Sequence, residues 1–149
     1  MTKTIHQKIF YPHPAAVVWE YLTTAELMAQ WLMVNDFQPI LGYDFQFKTK
    51  PIPSLDLDGI MYCKVVEIVP FKKLSYTWKA GPGEGKISLD TLVVWTLTEK
   101  DNGTELQLVH SGFKEIENLS IYNGMTQGWL QNMQKIVGLL NTKYGTANA

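Results

Sequence analysis

His110 is the side chain of this sequence best suited to proton transfer or polar recognition, because an imidazole titrates near neutrality. It ends a run of alternating residues within LVVWTLTEKDNGTELQLVHSGF, from Leu92 to Phe113. Val93, Trp95 and Leu97 alternate along the first half and Leu106, Leu108 and His110 along the second, so each set shares one face of a strand. Asn102-Gly103 marks the turn between them. His110 is therefore expected on an apolar, concave face together with Trp78, Trp95 and Leu108, with Thr77, Thr96, Val109 and Ser111 pointing away. Three roles stay open for it: a core histidine satisfied by Tyr76, Thr77 or a water, a hydrogen-bonding anchor for an apolar ligand, or a general acid or base. Ser111 is not its nucleophile partner, since adjacent strand residues face opposite ways.

Other chemistry fails on spacing. The loop Gly81-Pro82-Gly83-Glu84-Gly85-Lys86 has Ala80 where a phosphate-binding loop needs glycine and Ile87 where it needs Ser or Thr. It also sits between strands, not ahead of a helix. It reads as a flexible hairpin loop, with a lid over a cavity mouth as the alternative. His6, His13 and His110 are dispersed and Cys63 has no second cysteine, so no metal and no cofactor is expected. Asp56-Leu57-Asp58-Gly59 lacks the later oxygen ligands of a calcium loop and reads as a solvated turn.

Composition narrows the partners. The 149 residues fit one domain, 46% of them hydrophobic and 18% charged, with a formal net charge of −1. That balance gives no drive toward nucleic acid. The longest apolar runs fall far short of the roughly 20 residues that cross a bilayer, and no signal-peptide core is visible in MTKTIHQKIF. With a single cysteine, the reading is a cytoplasmic protein. Five Trp, seven Tyr and six Phe supply material for a core or a lined pocket.

The elements that must position these side chains follow from period. Ile5 to Phe10 reads as a first strand stopped by Pro12 and Pro14. Pro14 suits the first position of a helix carrying Ala15, Val18, Trp19 and Leu22. Thr23 and Glu26 have the spacing of a capping box, predicting a second short helix from Thr24 to about Leu32. Tyr43, Phe45 and Phe47 alternate along the next strand, and Pro51 and Pro53 open a loop. Ile60 to Val69 is β-rich but irregular, which means either a bulge or burial on both faces. Leu74, Tyr76 and Trp78 alternate before the hairpin. Met125, Trp129, Met133, Ile136 or Val137, and Leu140 recur at helical spacing, with Lys143 and Gly145 at the end and a frayed TANA tail beyond. A meander of six to seven antiparallel strands followed by one long amphipathic helix gives an α+β domain in which the helix covers the sheet.

Several segments carry a family resemblance: Pro14 with Val18-Trp19, Glu26-Leu27 with Gln30-Trp31, Gly42 with Phe45, Val65 to Pro70, Leu74-Ser75-Tyr76-Thr77-Trp78, Gly103-Thr104 with Leu106, Leu108 to Phe113, and Gly128-Trp129. The chain resembles START-like (SRPBCC) proteins of the branch similar to the C-terminal domain of the activator of heat shock protein 90 ATPase. The resemblance implies a helix-grip fold over residues 1–149, with a curved sheet wrapped around the C-terminal helix and a cavity between them. Trp31, Phe45, Phe47, Tyr76, Trp78, Trp95, His110, Trp129 and Met133 are the expected ligand-binding set, with no catalytic residue among them. The expected function is binding of a small hydrophobic or amphipathic molecule without turnover. The alternatives are a cyclase- or hydrolase-like enzyme using His110 or Tyr76, and a chaperone-associated interaction module in the stress response.

Overall fold

A computed structural model describes residues 2–145; Met1 and the TANA tail lie outside the described residues. Strand β1 (Thr2–Tyr11) leads into helices α1 (Ala15–Thr23) and α2 (Ala25–Trp31). Strands β2 (Val34–Asn35), β3 (Asp44–Lys48), β4 (Ile60–Val69), β5 (Lys73–Ala80), β6 (Leu89–Lys100) and β7 (Gly103–Lys114) follow, and α3 (Leu119–Tyr144) ends the described chain. The strands form one antiparallel seven-stranded sheet in the order β1-β7-β6-β5-β4-β3-β2. β1 and β2 thus lie at opposite edges, and α1 and α2 carry the chain from one edge to the other. The sheet is curved, and α3 packs on its concave face, where Ile121, Trp129, Met133, Ile136 and Leu140 are buried.

Period-two alternation holds where it was expected. Trp78, Trp95, Leu108 and His110 are buried, and Thr77, Thr96, Val109 and Ser111 are only partly covered. The irregular strand β4 resolves as a bulge: Val65 pairs with Tyr76 but Glu67 with Ser75, leaving Val66 as the extra residue. A second irregularity faces the end of β7, where Lys3 pairs with Phe113 and Thr4 with Ser111. Gly112 supplies it at φ 102°, a conformation that glycine adopts without a Cβ penalty. The extra residue puts Phe113 back on the concave face, its ring centroid 4.5 Å from that of His110.

Local chemistry differs from expectation at three places. The capping box does not form. Thr24 occupies the cap position without a side-chain cap, while Thr23 Oγ1 donates back to the Trp19 carbonyl at 2.8 Å, because the break between helices falls one residue later than Thr23. Pro14 is the N-cap of α1, one position before the helix proper. In the β6–β7 hairpin, Lys100 pairs with Gly103 and the central residues are Asp101 and Asn102, at φ 50° and 62°. Both positive values are those of a type I′ turn. Gly103 is needed for another reason: a Cβ there would lie 2.4 Å from the Tyr11 carbonyl oxygen.

Asn118 joins the sheet to α3. It is buried, accepts from the Lys114 amide at 2.8 Å through Oδ1 and donates through Nδ2 to the Ser88 carbonyl at 3.0 Å. The end of β7, the approach to β6 and the start of α3 are held by one amide group.

Candidate functional site: a cavity beneath the first half of the long helix

A cavity of about 280 Å³ opens between the first half of α3 and the sheet. Its deep wall is Leu57, Met61, Trp78, Leu89, Ile121 and Trp129, all buried. The more exposed wall and rim are Leu32 and Met33 after α2, Thr49, Ile52 and Leu55 from the β3–β4 connection, and Gly124, Met125, Gly128 and Asn132 on α3. The lining carries no ionisable side chain. Such a space favours apolar matter and disfavours a charge, which would lose its hydration with no partner to replace it.

Of the residues expected from the sequence to bind ligand, Trp78 and Trp129 line this cavity. Trp31, Phe45, Phe47, Tyr76, Trp95, His110 and Met133 are outside the lining, each 2% exposed or less. The aromatic ones among them form a continuous layer together with Trp78 and Trp129. Phe47 packs on Trp78 with ring centroids 5.2 Å apart, Trp78 on Trp129 at 5.3 Å, Trp129 on Trp95 at 5.5 Å, and Trp95 on Trp31 at 5.8 Å. The two lining tryptophans are the part of this layer that borders the cavity.

His110 is placed in that layer, not on the cavity wall, and its partners are neither Tyr76 nor Thr77. Trp129 Nε1 lies 3.0 Å from His110 Nδ1, and His110 Nε2 lies 2.7 Å from Thr91 Oγ1. Thr91 Oγ1 in turn donates to the Trp78 carbonyl at 2.7 Å. Indole nitrogen only donates, so Nδ1 must accept, and the histidine is neutral with its proton on Nε2. Burial lowers its pKa to about 3, because the imidazolium would lose solvation and turn a second donor toward the indole. Tyr76 accepts from Trp95 Nε1 at 3.0 Å, and burial raises its pKa. Burial favours the neutral form of both groups, and neither side chain is part of the cavity lining.

Desolvation also pushes the buried Cys63 thiol upward, which keeps it protonated and unreactive. Among the described residues no three His, Cys, Asp or Glu side chains gather as a metal set, and no helix is long and apolar enough to cross a membrane. The glycine-rich loop is a hairpin closed by a Gly83–Lys86 bridge and does not line the cavity. The β3–β4 connection does. Its single 3-10 turn, Pro53–Leu55, lies between Ile52 and Leu57, which pair across it. The sequence signal for this wall was three large aliphatic residues, Ile52, Leu55 and Leu57, in a proline-containing stretch that otherwise reads as solvated.

A family model described as Activator of Hsp90 ATPase homolog 1-like protein matches residues 12–141. Among solved structures, protein MLL2253 from Mesorhizobium loti is 32% identical, with 94% of this chain and 98% of that one covered and a TM-score of 0.83. Protein BH1534 from Bacillus halodurans is 28% identical, with 92% and 99% covered and a TM-score of 0.70. The Aha1 dimer from Colwellia psychrerythraea shares the fold at 17% identity, with 96% and 98% covered and a TM-score of 0.73. No curated protein matches the chain.

Proposed function

This chain belongs to the family of Activator of Hsp90 ATPase homolog 1-like proteins, and from that premise we propose that it binds a small, largely apolar molecule beneath α3 and releases it unchanged. The observation that carries this reading is the cavity of about 280 Å³ with an apolar, uncharged lining. A dry apolar space of about 150 Å³ takes benzene, so this one suits a molecule of about two fused rings. Release without turnover is supported by His110 and Tyr76, the side chains best suited to proton transfer, being buried, hydrogen-bonded to other core side chains and outside the cavity lining. A cytoplasmic location belongs to the same proposal, supported by the lone buried thiol of Cys63.

The test is titration with naphthalene-sized aromatics, read by tryptophan fluorescence and by melting temperature. Trp78 and Trp129 line the cavity, so emission should change on binding. Stability should rise by about 2.7 kcal/mol when free ligand reaches 100 times its dissociation constant. Gly128→Leu would place a side chain in the opening and should remove both responses while the protein stays folded. Binding that survives Gly128→Leu would put the ligand elsewhere. Unchanged ligand recovered after prolonged incubation supports binding without reaction, and a new product would reinstate the enzymatic reading. The family description favours a second reading, action on a chaperone ATPase. Stimulation of such an ATPase by protein that takes up none of these aromatics would select it.

A further inference from the structure

Trp78 Nε1 is the one buried side-chain nitrogen or oxygen among the described residues with no hydrogen-bond partner. The other deeply buried indoles are all satisfied: Trp31 Nε1 donates to the Tyr21 carbonyl at 2.8 Å, Trp95 Nε1 to Tyr76 and Trp129 Nε1 to His110. An orphan buried donor is costly and calls for a cause. The aromatic neighbours of Trp78 offer no free nitrogen or oxygen acceptor. Phe47 and Trp129 have none, and both His110 nitrogens are already engaged. Trp78 is 1% exposed, and it lines the cavity. With no protein acceptor engaged and the side chain bordering the cavity, the contents of that space are the source of an acceptor to consider for its N–H.

We infer that the molecule held beneath α3 carries a neutral hydrogen-bond acceptor, a ketone, quinone or ester carbonyl, that receives Trp78 Nε1–H, on an otherwise apolar skeleton. The inference rests on the reading of this cavity as a ligand site. Neutrality follows from the lining, which holds no Lys, Arg or His to offset a carboxylate. A carbonyl suits the site better than an alcohol, because the side chains of the deep wall include a free donor and no nitrogen or oxygen acceptor for a hydroxyl proton; the polar side chains of the lining, Thr49 and Asn132, are on the more exposed wall and rim.

The experiment compares 2-acetylnaphthalene, its shape-matched hydrocarbon 2-isopropenylnaphthalene, and 2-naphthoate, on the wild-type protein and on two variants. One is Trp78→Phe. The other replaces the Trp78 indole by benzothiophene, which keeps the bicyclic shape and removes the N–H. The ketone should bind about tenfold or more tightly than either comparator, and the Trp78 Nε1 proton resonance should move with the ketone and not with the alkene. In the benzothiophene protein the preference of ketone over alkene should vanish while the alkene affinity is retained. Trp78→Phe should show the same loss of preference. Equal affinity for ketone and alkene, or a preference that survives removal of the N–H, overturns the carbonyl inference and leaves the cavity reading standing. Tightest binding by the naphthoate overturns neutrality. Absence of binding by all three overturns the cavity reading itself.

Discussion

Four groups in a row have one possible set of proton positions: Trp129 Nε1–H, His110, the Thr91 hydroxyl and the Trp78 carbonyl. Donor-only indole at one end and acceptor-only carbonyl at the other fix every proton between them. This has a consequence for stability. In the unfolded chain His110 titrates near its ordinary value of 6.5, and in the folded chain near 3. Between those values the unfolded state binds the extra proton, so stability is fully present above pH 6.5. It declines as pH falls, by about 1.4 kcal/mol per pH unit at most, and levels off below about 3. Urea midpoints measured from pH 7.5 to 3.5 should show this loss. His110→Gln, which can accept from Trp129 and donate to Thr91 but cannot titrate, should lack it. Parallel curves for the two proteins would show that His110 is not held neutral. Its face was legible from the sequence because alternation fixes which way a strand residue points. Its partners were not, because Thr91 lies on the neighbouring strand and Trp129 on α3, and only strand register and helix docking bring them together.

α3 carries Gly124 and Gly128 one turn apart on the side that borders the cavity. A Cβ at either would meet nothing within 4 Å. Glycine inside a helix is about 1 kcal/mol less favourable than alanine, and nothing here sterically requires it. Gly124→Ala and Gly128→Ala should therefore each raise stability by about 0.5–1 kcal/mol in denaturant unfolding, while narrowing the opening and weakening uptake of a two-ring aromatic. A stabilised protein with undiminished binding would show that the opening lies away from these positions. The amphipathic stripe of α3 was plain in the sequence. Met125 and Trp129 face inward as their spacing predicts, yet they line open space at the first half of the helix, whereas Ile136 and Leu140 are fully buried at the second. Periodicity reports which side of a helix is apolar and carries no information on whether that side meets other atoms or a gap.

At the scale of the molecule, the order of the elements other than the two-residue edge strand β2, their antiparallel pairing and the covering helix were legible, since each rests on period and on turn residues local in the chain. Depth along the strands was not. Phe47, Tyr76 and Trp78 share the concave face, but Trp78 alone of the three reaches the cavity, and Leu32, Met33, Ile52, Leu55 and Leu57 reach it from connections whose paths depend on the finished tertiary structure. The same sheet order sets a timetable. β1 has a single neighbour, β7, with Thr2 opposite Lys114 and Tyr11 opposite Thr104. Strands β3 to β7, by contrast, are linked in sequence to their own neighbours. Closing the long loop costs entropy that local hairpins avoid. In pulse-labelled hydrogen exchange during refolding, β1 amides should gain protection in the last phase, after β4, β5 and β6; earlier protection of β1 would contradict that order. In a chain made from its N-terminus, the strand completed first thus waits longest for its partner, and until the last hairpin is in place its amides and carbonyls are open to any passing edge.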